Sequence, residues 1–315
     1  MYHPYFRGKQ FELLALRESA SILAESQFIP IIEPVRSTLT GLQRALEAVT
    51  NAGGRAIVIV NPRHGDHRVD GSIITEFLNT EYRGNDAIIA GALLRSDHTA
   101  SDAISLLEAH RGHSEAVIHS GFLDAAPIAH RLQDDLTNVS NIFIEDQASM
   151  LYRRHFPRPP RILVRDGFEQ KKNADYAPVE FFSDLHATYG DLGMQGYGDF
   201  LTVGDRFSEG GGPAYAVAIH LTFINSRQDN AMFVYHFVSD TNDTPTDPAG
   251  KFAQALSKLI FALDSGQSQL LETTAVTELR RLHREEHFPG LGYIKKLSIN
   301  HHIETLSHYH HSTYA

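Results

Sequence analysis

Short, uninterrupted apolar runs recur through the first two thirds of this 315-residue chain, and they constrain its fold more than any other feature. Continuous runs, as opposed to alternating ones, are typical of strands that are covered on both faces. The runs are FIPIIE (28–33), AIVIVN (56–61), AIIAGALL (87–94), EAVIHS (115–120), NIFIED (141–146), RILVRD (161–166) and DFLTVGD (199–205). Segments with helical apolar spacing lie between them, for example at 11–25, 101–110 and 126–136. This alternation predicts parallel βαβ units.

The number of strands selects the architecture. If HPYFR (3–7) is also a strand, the chain has eight strands up to Asp205. Eight parallel strands are the number that closes a barrel. We therefore predict a (β/α)8, TIM-barrel-like fold. One alternative is a barrel that begins at Phe28 and closes with AYAVAIHLTF (214–223). The other is an open doubly wound sheet, although no GxGxxG motif follows an early strand.

The segments after the barrel strands predict additional elements. AYAVAIHLTF and AMFVYHFV (231–238) are joined by a short polar stretch, which favours an antiparallel hairpin at 214–238 within a barrel domain of residues 1–264. A helix at 247–263, with Asp247 as its N-cap, is predicted as the last barrel helix. Residues 265–315 are predicted to form a C-terminal helical extension with a His-rich tail that is disordered or lies on the surface.

Composition excludes several classes of protein. The chain has no cysteine, which excludes disulfides and thiolate metal sites and fits a cytoplasmic location. No apolar run reaches the length of a membrane span. The formal net charge of -10 opposes duplex DNA binding by this chain alone, because such binding relies on excess Lys and Arg.

Charged residues follow nearly every predicted strand, as in IPIIEPVR, where a buried run ends in Glu33. The carboxyl ends of barrel strands form the site face, so these residues predict a shared pocket. The acid/base candidates are Glu33, His119 and Glu145, and a cationic rim for an anionic ligand comprises Arg7, Lys9, Arg63, Arg95 and Arg165. Strand alternation permits only one of Glu145 and Asp146, and only one of Arg165 and Asp166, to point into the barrel. We expect Glu145 and Arg165 to be the inward residues.

Two alternatives to this pocket are open from the sequence. The charges could instead pair with one another as a salt-bridged surface. His220 becomes a ligand-binding residue if the hairpin folds over the barrel mouth, and is otherwise a packing residue within an apolar strand.

The motif HREEH (283–287) matches the H-x-x-E-H arrangement of inverted zinc proteases, but proline and glycine follow it at once. A solvated helix end explains it better than a zinc site. We assign no metal and no cofactor from the sequence.

YFRGKQFELLALRE with FIPIIEPV, and later AVAIHLTF with DPAGKFAQALSKL, resembles the Beta-protein family of phages and bacterial anti-phage gene clusters. The resemblance extends from Tyr2 to about Leu263. It implies a barrel-like fold and a role in defence, beside a protein partner such as a nuclease of the same gene cluster. It supplies no catalytic residues.

Two functional hypotheses follow. The first is a hydrolase or lyase that acts on a phosphorylated or nucleotide-like small molecule. The alternative is a non-catalytic subunit that senses a ligand or holds a partner protein. Carboxylates that are fully paired with arginines would favour the second hypothesis.

Overall fold

The computed structural model describes residues 1–132, 139–210 and 212–314, and eight parallel strands form a closed barrel. The barrel closes where the first strand pairs with the last, with Tyr2 opposite Tyr197. Its strands are β1 (Tyr2–Phe6), β2 (Ile31–Ile32), β3 (Ala56–Ile59), β4 (Ile88–Arg95), β5 (Glu115–Ser120), β6 (Ser140–Ile144), β7 (Arg161–Val164) and, after an outlying strand β8 (Val179–Ser183), β9 (Gly196–Asp199). The TIM-barrel-like prediction that starts at the first strand is confirmed, and the open sheet and the frame that starts at Phe28 are wrong.

The eighth barrel strand lies earlier than predicted. Residues 199–205 were expected to form it, but the strand ends at Asp199 and a turn follows. The strand sequence GYGD contains two glycines and no branched apolar residue, so it lacks the pattern by which the other strands are recognised. A Cβ atom at Gly198 would lie 2.2 Å from the carbonyl oxygen of His3, so the close approach of β1 requires a glycine there.

Alternate residues of the strands fill the barrel interior, and the others face the surrounding helices. Side chains of the inner cluster include Ile57, Ile59, Ile118, Ile142, Ile144, Ile162 and Val164. The outer residues pack against the helices α1 (Gln10–Glu18), α2 (Ala20–Glu25), α3 (Thr40–Asn51), α4 (Ser72–Glu81), α5 (Ala100–Ala109), α6 (Ala125–Arg131), α7 (Met150–Arg153) and α8 (Leu185–Thr188). The predicted helices at 11–25 and 101–110 are confirmed. The one at 126–136 is confirmed up to Arg131, and its last part lies outside the described residues.

A second sheet lies beside the barrel. The predicted hairpin is confirmed as β10 (Ala218–Asn225) and β11 (Ala231–Val238), which pair antiparallel. Strand β8, which the sequence analysis did not predict, pairs with β11 and completes a three-stranded sheet.

The C-terminal helices pack in places that differ from those predicted from the sequence. They are α9 (Pro248–Asp264), α10 (Thr274–Arg284) and α11 (Leu291–Tyr314). Asp247 caps α9 as predicted, because its carboxylate accepts a hydrogen bond of 2.9 Å from the amide of Gly250. However, α9 packs with Phe252 and Leu256 in the core of the second sheet and is not the last barrel helix.

Helix α11 covers the closure of the barrel instead. Ile299, Ile303 and Leu306 belong to the main core cluster together with Tyr2 and Tyr197. The prediction of a disordered or surface tail is therefore wrong.

The HREEH motif crosses a helix end. Helix α10 ends at Arg284, and Glu286 has a left-handed backbone with φ of 50°. His287 therefore does not follow His283 by one turn of a continuous helix, as the metal-binding motif requires.

Within the part of the chain that the structure describes, no helix combines the length and apolarity needed to cross a membrane.

Candidate functional site

A cavity of about 230 Å³ opens at the carboxyl ends of the barrel strands, the position of active sites in TIM barrels. Three of the predicted site residues line it: Arg7, Glu33 and Arg63. We call this space the mouth cavity. Its other ionisable lining residues are Tyr5, His64, Asp205 and Arg206.

Glu33 is fully buried at the end of β2 and is saturated with hydrogen bonds. Its Oε2 accepts from the hydroxyl of Tyr5 at 3.0 Å and from the guanidinium of Arg7. Its Oε1 accepts from the backbone amides of Arg63 at 2.7 Å and His64 at 2.9 Å. The carboxylate that ends the apolar run IPIIE thus fixes the loop after β3 to the ends of β1 and β2.

Arg7 is the buried counter-ion of this cluster. Its guanidinium donates to the carboxylates of both Glu33 and Asp205 and, at 2.7 Å, to the carbonyl oxygen of Asp205. The guanidinium also lies 4.8 Å from the ring centroid of Tyr5 and 5.1 Å from that of Phe200. Burial and the adjacent Glu33 carboxylate raise the pKa of the Tyr5 phenol, which therefore remains protonated and donates its hydrogen bond.

A left-handed turn at Gly8 brings the end of β1 against β2. Gly8 has φ of +63°, and a Cβ atom at this position would lie 2.8 Å from the carbonyl oxygen of Glu33. A side chain is therefore excluded both by the backbone conformation and by the close approach of the two strand ends.

The cationic side chains at the rim of the mouth cavity form fewer hydrogen bonds and ion pairs than the buried Arg7. Arg63 is exposed, and its Nη1 lies 3.5 Å from Oε1 of Gln147, at the limit of a hydrogen bond. Among the described residues, neither Arg63 nor Arg206 forms an ion pair with a carboxylate. The ring of His64 stacks on Phe207 with centroids 4.6 Å apart, and burial lowers its pKa, so it is neutral. The cavity thus has three guanidiniums against two carboxylates.

Two of the residues that line the cavity were not predicted as site residues from the sequence. His64 directly follows Arg63, and Arg206 directly follows Asp205, so both stand at predicted strand ends. Their position after a strand was the signal that could have found them.

Glu145 and Arg165 pair with each other away from the mouth cavity. Nη2 of Arg165 donates to Oε1 of Glu145 at 3.0 Å, and Nη1 donates to Oδ1 of Asp184 at 2.6 Å. Val164 holds the inner position at the end of β7, so Arg165 has the outward phase, and Glu145 begins a 3-10 helical turn after β6. Neither residue points into the barrel, contrary to our expectation.

Arg95 and Lys9 also contact other groups. Arg95 forms a two-pronged pair with Asp97, at 3.0 and 3.1 Å. The ammonium of Lys9 donates to the carbonyl oxygen of Ser208 and lies 4.7 Å from the ring centroid of Phe207. Lys9 lines a second, larger cavity beside the mouth.

His119 is fully buried on the outer face of β5 and does not line the mouth cavity. Its Nε2 donates to Oδ1 of Asn141 at 3.1 Å, and its Nδ1 accepts from the hydroxyl of Tyr152 at 2.7 Å. The ring stacks on Phe143, with centroids 4.7 Å apart. Burial lowers the pKa of His119 to about 3, so the imidazole is neutral. The neighbouring Ser120 faces the cavity instead.

His220 lies in the second sheet and does not line the mouth cavity. Its Nδ1 is 2.7 Å from Nδ1 of His236 on the paired strand. Like Lys9, His220 lines the larger cavity.

Over the described ranges, the structure contains no group of three or more His, Asp or Glu residues placed to hold a metal ion. The comparisons with known proteins leave the fold and this geometry as the basis for a functional assignment. The sequence matches no protein-family model, and no curated protein matches it.

Proposed function

We propose that this protein is a non-catalytic barrel that senses a small phosphorylated or nucleotide-like ligand through an anionic group bound at the mouth cavity. The observation that carries the proposal is the division of charges there. The buried carboxylate of Glu33 is saturated, whereas Arg63 and Arg206 stand at the rim without carboxylate partners in the described chain. Guanidinium groups bind phosphate through paired hydrogen bonds.

The hydrogen bonding of Glu33 favours sensing over catalysis. A general base needs a lone pair that can reach the proton of a substrate. Both oxygens of Glu33 already accept hydrogen bonds from buried or backbone donors. The other two acid/base candidates, His119 and Glu145, do not line the cavity.

An enzyme is the alternative, and the position of the cavity favours it. The mouth cavity lies at the strand ends where TIM-barrel enzymes carry out their chemistry. In that case the protein would be a hydrolase or lyase for a phosphorylated ligand. If the purified protein released phosphate from such a compound and Arg63→Gln abolished that release, the result would support an enzyme over a sensor.

The defence role rests on the resemblance of 2–263 to the Beta-protein family. In this proposal the chain works in the cytoplasm, and a nuclease of the same gene cluster is its protein partner. A phage challenge of cells that carry the cluster, with and without Arg63→Gln, tests the role. Equal plaque counts for the intact cluster and for a cluster that lacks this chain would contradict it.

Binding of inorganic phosphate to the purified chain tests the ligand site directly. We expect Arg63→Gln and Arg206→Gln each to weaken binding roughly 10- to 100-fold, which corresponds to about 1.5–3 kcal/mol for a charged hydrogen bond. Arg165→Gln is the matched control, because its guanidinium is paired with Glu145 and Asp184 outside the cavity. Equal affinity in all four proteins, or loss only in Arg165→Gln, would overturn the proposal.

A further inference from the structure

A second cavity, of about 1020 Å³, lies beside the mouth cavity, between the loop after β7, the start of β10 and the first turns of α11. Among the described residues, its lining contains five cationic residues and no carboxylate, although the whole chain has a net charge of -10. We call it the basic cavity. The cations are Lys9, Lys171, Lys172, Arg206 and Lys295.

Three of these cations are available to a ligand. Lys171 is paired with Glu169 at 3.0 Å and Glu180 at 3.1 Å. In the described ranges, however, Lys172, Arg206 and Lys295 have no ion pair. Burial lowers the pKa of Lys9, the buried Glu12 carboxylate acts in the opposite direction, and the positive charge of Lys295 lowers the pKa again. A ligand with several negative charges would relieve this repulsion.

The same cavity offers flat aromatic surface. Phe168, Tyr176 and Tyr215 line it, and Tyr215 is 50% exposed. Nucleobases stack on such rings whatever their identity. The volume is at the upper end of the range of roughly 300–1,000 Å³ for small-molecule sites, whereas the mouth cavity is below it.

A pair of histidines, His220 and His236, provides a hydrogen-bond acceptor in the wall of the basic cavity. His236 is buried, and its Nε2 has no hydrogen-bond partner among the residues that the structure describes. That atom lies 3.8 Å from Oε2 of Glu180. The carboxylate favours a proton on this Nε2, so Nδ1 of His236 accepts from Nδ1 of His220. In a neutral ring, the second nitrogen of His220 then carries a lone pair. His220 therefore can accept a hydrogen bond from a group in the basic cavity.

We infer that the basic cavity is a binding site for a nucleoside polyphosphate, whose phosphates contact Lys172, Arg206 and Lys295 while its base stacks on the aromatic wall and donates a hydrogen bond to His220. The site is distinct from the mouth cavity of the proposed function. Arg206 lines both, so residues that line only one of them separate the two.

ATP and inorganic tripolyphosphate, titrated calorimetrically into the full chain, test the inference. We expect ATP to bind more tightly than tripolyphosphate, because only ATP has a base. Lys172→Gln and Lys295→Gln, both exposed positions, should each weaken ATP binding about tenfold. His220→Phe should weaken ATP binding and leave tripolyphosphate binding unchanged. Arg165→Gln, whose guanidinium pairs with Glu145 and Asp184 and lines neither cavity, should leave ATP affinity unchanged.

Other outcomes overturn the inference. Equal affinity for ATP and tripolyphosphate would show that the base does not contact the basic cavity. Unchanged ATP affinity in both lysine variants would show that the phosphates do not contact these lysines. Loss of ATP binding in Arg63→Gln alone would place the nucleotide in the mouth cavity. Because the lysine variants do not alter the packed core, they decide the question even if His220→Phe fails to fold. Phosphate binding that depends on Arg63 tests the proposed function separately.

Discussion

His302 and Tyr2, 300 residues apart, lie within hydrogen-bonding distance at the closure of the barrel, with Nε2 of His302 3.1 Å from the hydroxyl oxygen of Tyr2. Tyr2 donates to Oδ1 of Asp199 at 2.7 Å, and Nε2 of His302 lies 3.2 Å from Oδ2 of the same carboxylate. On the other side of the ring, the hydroxyl of Thr222 lies 3.0 Å from Nδ1. One imidazole thus joins the first barrel strand, the last barrel strand and the second sheet.

We therefore predict that the end of the chain is required for folding. His302→Leu should lower the free energy of unfolding by about 1.5–3 kcal/mol, because it removes a buried hydrogen bond to a charged group. Denaturant unfolding measures this loss. His308→Leu is the matched control, since His308 is exposed on the same helix, and it should have little effect. Removal of 301–315 should prevent folding, and a stable truncated protein would contradict the packing of α11.

Glu33→Gln should destabilise the protein as well as change its site. Removing one partner of a buried ion pair typically costs about 3–5 kcal/mol, since the remaining charge is left uncompensated. Asp205 still pairs with Arg7, so we expect the lower end of that range. The control is Asp97→Asn, which breaks the surface pair with Arg95 and should cost about 1 kcal/mol or less. Equal melting temperatures for Glu33→Gln and the parent would show that the buried pair adds no stability.

Stability should fall in mild acid, partly because of His119. An unfolded histidine has a pKa near 6.5, whereas the pKa of the folded His119 is about 3. Between these values the unfolded state binds more protons, so the contribution is fully present above pH 6.5 and is lost as the pH falls toward 3. At pH 5 the loss from this residue is about 2 kcal/mol relative to pH 7.5.

The difference in unfolding free energy between pH 7.5 and pH 5 should therefore shrink by about 2 kcal/mol in His119→Gln. His308→Gln, at an exposed position, should leave that difference as it is. A parallel shift of the whole curve in His119→Gln, with no change in its slope, would contradict the depressed pKa.

Gly8→Ala should disturb the mouth cavity. Alanine in a left-handed conformation costs roughly 1–2 kcal/mol, and here its Cβ would also meet the carbonyl oxygen of Glu33 at 2.8 Å. The clash should displace Arg7 and weaken phosphate binding. Gly53→Ala is a matched control, because φ is +78° but no atom lies within 4 Å of the added Cβ. We expect a larger loss of stability at Gly8 and unchanged phosphate affinity at Gly53.

The face on which a strand-end residue lies could not be predicted for this chain. A strand buried on both faces shows a continuous apolar run, so its sequence carries no phase that separates inner from outer residues. His119 follows Ile118 in such a run, and only the packing of Ile118 inside the barrel shows that His119 points outward. The same absence of phase explains why Glu145 and Arg165 were expected inside.

Helix α11 shows the same limit for helices. It packs between the barrel and β10, and residues such as His301 and His302 are fully buried although polar. A helix covered on more than one side has no single apolar stripe, which is the signal used to recognise amphipathic helices.

By itself, the sequence determined seven of the barrel strands, the hairpin and the strand ends that gather charged residues, because apolar runs, helical spacing and turn residues are local properties. Only the tertiary structure decided which helix closes the barrel, which charged residues share the mouth cavity and which pair elsewhere. Those outcomes depend on strand phase and on contacts between distant residues such as Tyr2 and His302, which no local pattern records.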